Sequence, residues 1–261
     1  APGTPTAIAA GTYTAGSTGT YPNLSEAVAD LNHRGVAGPV VISLTDANYD
    51  ISTNGENWFP IGFGPIAGTS LTNTVTVQPA SGTSTLTYNG YVTGGMATAG
   101  GTGIVGTTSE PVVVVSGTDY LLLNNLNLTS GGNANLDRGL LVINNSTTNG
   151  ATFCGFQNIA VTLNRSNTST IGIQQNVAST PASALGANSN NAYMNLNIQN
   201  TYNGIYLLGN ATFPDLNCQI GNTVAANFNT IGGSTANDIG TAAGTTQNYG
   251  IRMGNISGGS I

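Results

Sequence analysis

Short runs in which apolar and small polar residues alternate occupy most of this chain. Alternation with a period of two is typical of a β-strand that turns one face to a core and the other to water. Gly, Asn, Thr and Ser separate the runs, as expected for turns. The pattern predicts strands at residues 40–44, 74–78, 84–88, 112–116, 120–128, 139–144, 158–163, 170–174, 193–198, 204–208, 217–220 and 249–253.

One segment has the helical period instead. In Asn23–Asn32 the apolar residues recur three and four positions apart, so they share one face of a helix. Its first residue or Ser25 would cap the first turn, and Gly35 would end the helix. Because only strands follow, we expect this helix to cap them. The chain is accordingly divided into a capping segment, residues 1–38, and a repeat region, residues 39–261.

A short phrase that opens with glycine and closes with asparagine occurs four times. Its glycines are 33, 32 and 46 residues apart, and the longest interval equals one repeat plus a loop. The glycines suit a tight bend, and the asparagines suit a corner where stacked amides could form a ladder. The predicted repeat-corner residues are Gly139, Asn144, Gly172, Asn176, Gly204, Asn210, Gly250 and Asn255.

A fixed period of this length is typical of stacked-repeat architectures. The sequence therefore predicts an all-β fold, a right-handed parallel β-helix (a solenoid) with a short N-terminal capping α-helix. Two strands are clear in each repeat. A β-sandwich or a Greek-key barrel would also contain many short strands, but neither predicts a phrase that recurs at a fixed interval.

Charge is scarce along the chain. It has four Lys and Arg residues, all of them arginine, with ten acids and one histidine, and its net charge is −6. Charged residues make up 5%, against about 25% in an average soluble domain. No basic stripe is present, which argues against nucleic acid and anionic membranes as partners. No apolar run approaches the ~20 residues of a membrane span.

Cys154 and Cys218 are 64 residues apart, about two repeats. At the same position of stacked turns they would be about 10 Å apart, at ~4.8 Å per turn. A disulfide requires Cα atoms within about 7 Å. Since the loop after Gly209 could shift this register, a disulfide between the two cysteines stays open as an alternative.

Parts of the sequence resemble a known group of proteins. Tyr21–Asn32, Gly35–Leu44 and Phe59–Pro79 resemble the opening of large secreted β-helix proteins of Bacteroidota, many of which are exported by type IX secretion. Asn229–Asp238 is similar to an element of pectate-lyase-like β-helix repeats. The resemblance implies a parallel β-helix, a location on the cell surface and an adhesin-like role. It also implies that this chain is the first part of a longer polypeptide.

Polysaccharide lyases and hydrolases share the fold that the resemblance implies, so a catalytic role must be weighed. Glycosidic cleavage requires two carboxylates about 5–10 Å apart. The acids lie at different offsets from the repeat glycines, and only Asp215 and Asp238 could meet through loops. The resemblance to lyases adds an arginine as a base. The candidate catalytic residues of an enzyme would thus be Asp215, Asp238 and Arg252.

Other catalytic and cofactor patterns are not found in the sequence. His33 stands beside Arg34 at the end of the predicted helix, where cations complement the helix dipole. Zinc-ligand spacing and an aspartate-rich calcium loop are both missing. Arg138 follows Asp137, and we expect this pair to be solvated. We therefore expect no catalytic centre, no metal and no cofactor.

Aromatic residues favour sugar binding over sugar cleavage, because tyrosine and tryptophan rings stack on sugars. The alternative is that each ring packs within its strand. The candidates are Trp58, Tyr88, Tyr91, Tyr193, Tyr202 and Tyr206.

No second capping segment follows the last phrase before Ile261. An open end of a solenoid exposes unpaired backbone, so we expect continuation of the polypeptide or head-to-tail docking of another subunit. Together these features predict a secreted, non-catalytic structural or adhesive β-helix element with a glycan or cell-surface ligand. The alternative is a carbohydrate-active enzyme or a glycan-binding module.

Overall fold

The computed structural model describes residues 5–50, 56, 59–88, 110–233, 238–240 and 248–261. In these residues the chain is mostly β-structure, with one α-helix and three large sheets in which all pairings are parallel. The predicted all-β class is confirmed. The chain runs through the three sheets in a repeating order, so that each strand pairs with the strand of the same sheet in the preceding and following repeat. One passage through the three sheets is called a coil below.

Each of the three sheets takes its strands from successive coils. In chain order, the first sheet contains Gly11–Ala15, Val40–Leu44, Val75–Pro79, Leu121–Asn124, Gly155–Gln157, Ala192–Met194 and Gln219–Ile220. The second contains Asn48–Tyr49, Ser84–Thr87, Leu126–Thr129, Ala160–Thr162, Asn197–Gln199 and Thr230–Ile231. The third contains Ile61–Phe63, Pro111–Ser116, Arg138–Ile143, Ile171–Asn176, Asn203–Leu208 and Ile251–Gly254. A two-stranded pairing joins Asp215–Leu216 to Ile256–Ser257.

Each coil has three strands where the sequence pattern indicated two. The difference arises at a bend of one or two residues between the first and second sheets. Asn125, Asn158 and Asn195 occupy this bend with φ of 56°, 54° and 49°. Asparagine tolerates this left-handed conformation better than most residues. The predicted strand 120–128 is thereby split in two.

The amide ladder lies at this bend and not at the ends of the repeated phrase. The side-chain amide of Asn158 donates to Oδ1 of Asn124 over 2.7 Å, and that of Asn195 donates to Oδ1 of Asn158 over 2.5 Å. The phrase-closing asparagines cannot form such a ladder, because they follow their glycines at unequal distances. In the third sheet Asn176 pairs with Ile143, one position before Asn144.

The four phrase glycines lie inside or directly before strands of the third sheet, and none of them has a positive φ. Close packing, and not a bend, explains three of them. A methyl group added to any one of these three would lie within 3 Å of an aliphatic side chain of the second sheet in the next coil. The pairs are Gly139 with Val161, Gly172 with Ile198, and Gly204 with Ile231. At Gly250 the same space is empty.

The phrase asparagines have separate local roles. Asn144 is buried and holds the next loop, as described below. Asn176 ends its strand, and its carbonyl accepts from the side chain of Asn188. The side chain of Asn210 accepts from two backbone N–H groups of its own turn, and Asn255 has φ 54° and donates to the carbonyl of Gly209.

The helix Leu24–Arg34 packs at the edge of the third sheet, next to Ile61–Phe63. Asn23 caps it by accepting from the N–H of Glu26, and Gly35 ends it with φ 66°. The buried carboxylate of Glu56 accepts from the N–H groups of Leu24 and Ser25, so a second residue caps the same helix end. These contacts tie the helix to the following coil.

The helix also covers backbone groups of the sheet edge. The side chain of Asn32 donates to the carbonyl of Gly62 over 2.8 Å and accepts from the N–H of Gly64 over 3.0 Å. These bonds replace those that a neighbouring strand would supply. The segment before residue 39 also contributes Gly11–Ala15 to the first sheet, so this segment and the repeat region share one sheet.

The interior between the three sheets is one apolar cluster that runs through all the coils. Within it Phe156 stacks on Tyr193 of the next coil, with ring centroids 5.1 Å apart. A second small cluster, Val114, Leu141 and Ile143, lies on the opposite face of the third sheet. Among the described residues, no helix is long and apolar enough to cross a bilayer.

Candidate functional site

The outer face of the third sheet carries the exposed arginine with aromatic partners. Gln174, Tyr206 and Arg252 occupy one column of three consecutive coils, by the pairings Gln174↔Tyr206 and Tyr206↔Arg252. Their neighbours Ile173 and Ile205 are fully buried. Because side chains alternate along a strand, the column faces away from the interior. We call Arg138, Gln174, Tyr206, Tyr249 and Arg252 the arginine–tyrosine face.

Two tyrosines hold the guanidinium of Arg252. Its Cζ atom is 5.5 Å from the ring centre of Tyr206 and 5.3 Å from that of Tyr249. The two rings meet edge to face with centroids 5.8 Å apart. Such cation–π contacts contribute roughly 0.5–1 kcal/mol each at exposed sites. Burial raises the pKa of Tyr206, and the neighbouring Arg252 lowers it in part, so its hydroxyl stays protonated at neutral pH.

Arg138, at the other end of this face, is bound within the protein. Its guanidinium donates to the side chain of Gln174 and to the carbonyls of Asp137 and Ser169, and it lies 3.4 Å from the Asp137 carboxylate. Burial lowers the pKa of Arg138 and raises that of Asp137. The expectation that this pair is solvated is therefore wrong. Arg138 braces the face and leaves Arg252 as its exposed cation.

The candidate catalytic carboxylate Asp215 lies in the interior, with an exposed fraction of 0%. Its Oδ1 accepts from the N–H of Asn188 over 2.9 Å, and its Oδ2 accepts from the side-chain amide of Gln175 over 2.6 Å. Burial raises the pKa of Asp215 to about 6, against the lowering effect of these two bonds. A pKa near 6 would suit a general acid, but a polysaccharide cannot reach this position.

Gln175 connects Asp215 to a wider buried network. Its Oε1 accepts from Tyr193 over 2.7 Å and from Asn191 over 3.0 Å, and its amide also donates to Cys218. These side chains are fully or almost fully buried. A satisfied network of this kind fixes one arrangement of the interior, because each unpaired member would cost about 1–3 kcal/mol.

The two cysteines are free thiols, and both are buried. By the register of the first sheet Cys154, Asn191 and Cys218 occupy one column, so one coil separates the two sulfur atoms. The N–H of Cys154 donates to the side chain of the intervening Asn191. Burial raises the pKa of Cys154 to about 12, so it stays an unreactive thiol.

The structure does not bring the three candidate catalytic residues together. Asp215 is inside the coils, whereas Arg252 is on the outer face of the third sheet. Asp238 lies near the end of the second sheet, where its carbonyl accepts from the N–H of Thr201. No described contact joins any two of them. In the described part of the chain, no group of three His, Cys, Asp or Glu residues could hold a metal ion.

Most of the tyrosines considered for sugar stacking are interior residues. Tyr88, Tyr193, Tyr202 and Tyr206 are all buried, with exposed fractions of 4%, 0%, 3% and 8%. Of these four, Tyr206 lies on the outer face of the third sheet and has a cationic neighbour. Tyr91 and Trp58 lie outside the described residues. Sequence reasoning missed the partner Tyr249, which lies directly before the last phrase, so its position beside a repeat glycine was the available signal.

No protein-family model matches the chain, and a search of curated proteins finds no match to it either.

The buried carboxylate predicts a specific dependence of stability on pH. The folded-state pKa of Asp215 is about 6, above the ~3.9 of an unfolded chain. As the pH rises from 4 to 6 the unfolded state releases this proton first, so stability falls. Relative to the Asp215→Asn variant, the protein should lose about 2–3 kcal/mol of unfolding free energy between pH 4 and pH 7.

Urea unfolding of the two proteins at several pH values measures this difference. The amide of the variant faces the Gln175 amide and adds a constant cost, so the slope with pH carries the information and the absolute value does not. Parallel pH profiles for the two proteins would contradict the buried position of Asp215.

Proposed function

We propose that this protein is a right-handed parallel β-helix that serves as an extracellular structural and adhesive element and does not act as a catalyst. Its contact surface is the arginine–tyrosine face. The observation that carries the proposal is the column Gln174–Tyr206–Arg252, which sets polar, aromatic and cationic groups side by side on consecutive coils. A carboxylated sugar at this face would meet Arg252, which is exposed, and Tyr249, which is half-buried. Gln174 and Tyr206 are 6% and 8% exposed and support these two side chains from below.

The helical path of the chain is supported by the order of the sheets. Successive coils pass through the first, second and third sheets in the same sequence, and all pairings are parallel. Crossover connections between parallel strands of one sheet are right-handed in about 98% of cases. Export to the cell surface is supported by the resemblance of Tyr21–Leu44 and Phe59–Pro79 to secreted β-helix proteins.

The adhesive role is supported by how the few charges are used. Asp215 and Glu56 are buried and hydrogen-bonded to backbone, and Arg138 is occupied by carbonyls and Asp137. Arg252 is exposed and held in one orientation by two rings. A fixed cation beside aromatic rings favours a carboxylated sugar over a neutral one.

Binding to neutral and uronate-containing oligosaccharides tests the contact surface. The Arg252→Gln variant should bind carboxylated sugars about tenfold more weakly, which corresponds to ~1.4 kcal/mol. Arg165→Gln removes the same charge from a loop between the second and third sheets and should leave binding unchanged. Equal binding by all three proteins would contradict the assignment of this face.

A reducing-end assay on the same polysaccharides tests the non-catalytic role. We expect no turnover. If the unmodified protein shows turnover and the Arg252→Gln or Asp238→Asn variant does not, the alternative of a carbohydrate-active enzyme would be favoured.

We further propose that the last described coil receives another layer of parallel strands, from the same polypeptide or from a second copy. A hollow of about 360 Å³ opens there, lined by apolar side chains of all three sheets together with Asn222 and Asn229. Ile220, Ile231 and Ile251 come from the last strand of each sheet, and Phe228 stands beside them with 56% of its surface exposed. At the first sheet Ser260 already pairs with Gln219, so the next layer has begun there, whereas no described strand follows in the other two sheets. Covering apolar surface of this kind removes it from water and is therefore favourable.

Light scattering over a range of concentrations tests association through this hollow. The Phe228→Asp variant should associate less than the unmodified protein, because a charge would be buried in the contact. Leu71→Asp, at a leucine that is 82% exposed elsewhere, is the matched control and should change nothing. A monomer at the highest concentration would contradict covering by a second copy. The proposal would then require that the same polypeptide covers the hollow.

A further inference from the structure

Two aromatic residues adopt a backbone conformation that usually belongs to glycine or asparagine. Tyr120 has φ 55° and Phe153 has φ 57°. By the register of the first sheet they occupy the same position of consecutive coils, Tyr120 one residue and Phe153 two residues before a strand, and the next two coils have Asn190 and Asn217 there with φ 61° and 53°. A bulky residue in the left-handed region is strained. Asparagine fills this position in the two following coils, so the backbone conformation itself does not require the rings.

The two rings stack on each other, with Tyr120 partly buried and Phe153 exposed. Their centroids are 5.0 Å apart with an angle of 3° between the planes, and 50% of Phe153 is exposed. In the following coils the column continues as an amide contact from Asn217 to Asn190 over 3.1 Å. The aromatic stack therefore ends at a boundary with polar groups on the same side of the molecule.

A cleft of about 300 Å³ lies at this boundary. Of the seven large apolar side chains that are exposed in the described part of the chain, three line it: Phe153, Leu185 and Leu216. Polar groups of Asp119, Asn149, Ser189 and Asn190 complete its walls. The volume lies at the lower end of the ~300–1,000 Å³ of small-molecule sites, which suits a ligand of one or two rings.

Asp119 offers an acceptor to such a ligand. Both of its hydrogen bonds within the described residues end on Oδ1, from the N–H of Thr152 over 2.9 Å and from its hydroxyl over 2.6 Å. Oδ2 is left to accept from a ligand hydroxyl. Burial raises the pKa of this carboxyl, which strengthens its preference for a donor group nearby.

The wall that carries Leu185 is held in place by the preceding coil. The buried side chain of Asn144 accepts from the N–H groups of Ala178 and Ser179 and donates to the carbonyl of Ser179. The N–H of Gly150 donates to the carbonyl of Leu185 over 2.8 Å. A methyl group on Gly150 would collide with the backbone of Ala187, so the two loops are in direct contact. The cleft is therefore formed before any ligand binds.

We propose that this cleft is a binding subsite for a neutral hexopyranose ring, which packs on Phe153 and donates a hydroxyl to Asp119. Aromatic and aliphatic walls match the C–H face of such a ring, and the amides and the Ser189 hydroxyl match its remaining hydroxyls. The carboxylate of Asp119 disfavours acidic sugars. The site shares no residue with the arginine–tyrosine face and does not depend on the function proposed for that face.

Ligand-observed NMR with methyl glycosides of glucose, galactose and mannose tests the subsite on the full chain. At least one of these neutral sugars should bind. The variant Phe153→Asn removes the ring and installs the residue that the next two coils use, so its thermal midpoint should be unchanged or higher while sugar binding falls at least tenfold. Asp119→Asn should weaken the same sugar at least threefold.

Two further variants show whether a loss of sugar binding comes from this cleft, from the arginine–tyrosine face or from a failure to fold. Arg252→Gln should bind the neutral sugar normally, so failure of the arginine–tyrosine face leaves this test intact. If Phe153→Asn does not fold, Leu185→Ala at a side chain that is 72% exposed takes its place and should also weaken binding. Absence of binding by the unmodified protein, or undiminished binding by a folded Phe153→Asn or Leu185→Ala variant, would overturn the proposal.

Discussion

Parallel backbone pairing between consecutive coils is the constraint on which the rest of this structure depends. It sets neighbouring strands of a sheet about 4.8 Å apart, so each residue directly contacts its equivalents in the coils above and below. Small side chains are required wherever two sheets also converge. Gly172 is an example, because a methyl group added there would meet both the carbonyl of Gly204 in the same sheet and the side chain of Ile198 in the adjacent one.

The same constraint determines where the few charged residues find hydrogen-bond partners. A polar group inside a stack of coils must find its partners in the same coil or the next. Asp215 does so through Asn188 and Gln175, and the network continues to Tyr193. On the outer surface the same stacking lines up equivalent side chains of successive coils at a regular spacing, where a ligand can contact several of them. The arginine–tyrosine face and the Phe153 cleft each include a column of equivalent positions at which some coils carry an aromatic side chain and others a polar one.

Sequence patterns predicted the elements that depend on local chemistry. The helix and its Asn23 cap follow from apolar spacing and a side-chain acceptor, and the strands follow from alternation. The role of the repeat glycines could not be predicted from the sequence, because the side chains that pack against them, Val161 and Ile198, come from another coil. Likewise, residues 177–191 have the composition of a surface loop, yet Asn188 and Asn191 are fully buried through contacts with distant residues.

The candidate site was predictable only in part. Arg252 and Tyr206 stood out as a rare charge and a strand aromatic, but the sequence does not show that one coil brings them together. Asp215 was singled out because loops could have brought it to Asp238, but burial of the whole side chain removes it from any surface chemistry. Phe153 gave no sign of its exposure, because a strained backbone conformation cannot be inferred from residue type.

The contact between coils at the glycine column is tested most directly by a double-mutant cycle. Gly172→Ala should lower the unfolding free energy by about 1–3 kcal/mol, since the methyl group overpacks against Ile198, whereas Gly250→Ala should be neutral or stabilising by up to about 1 kcal/mol. In the background of Ile198→Ala the added methyl at residue 172 should cost at least about 1 kcal/mol less. Equal effects of the two glycine substitutions, or strict additivity of the changes at 172 and 198, would contradict the stacked-coil account.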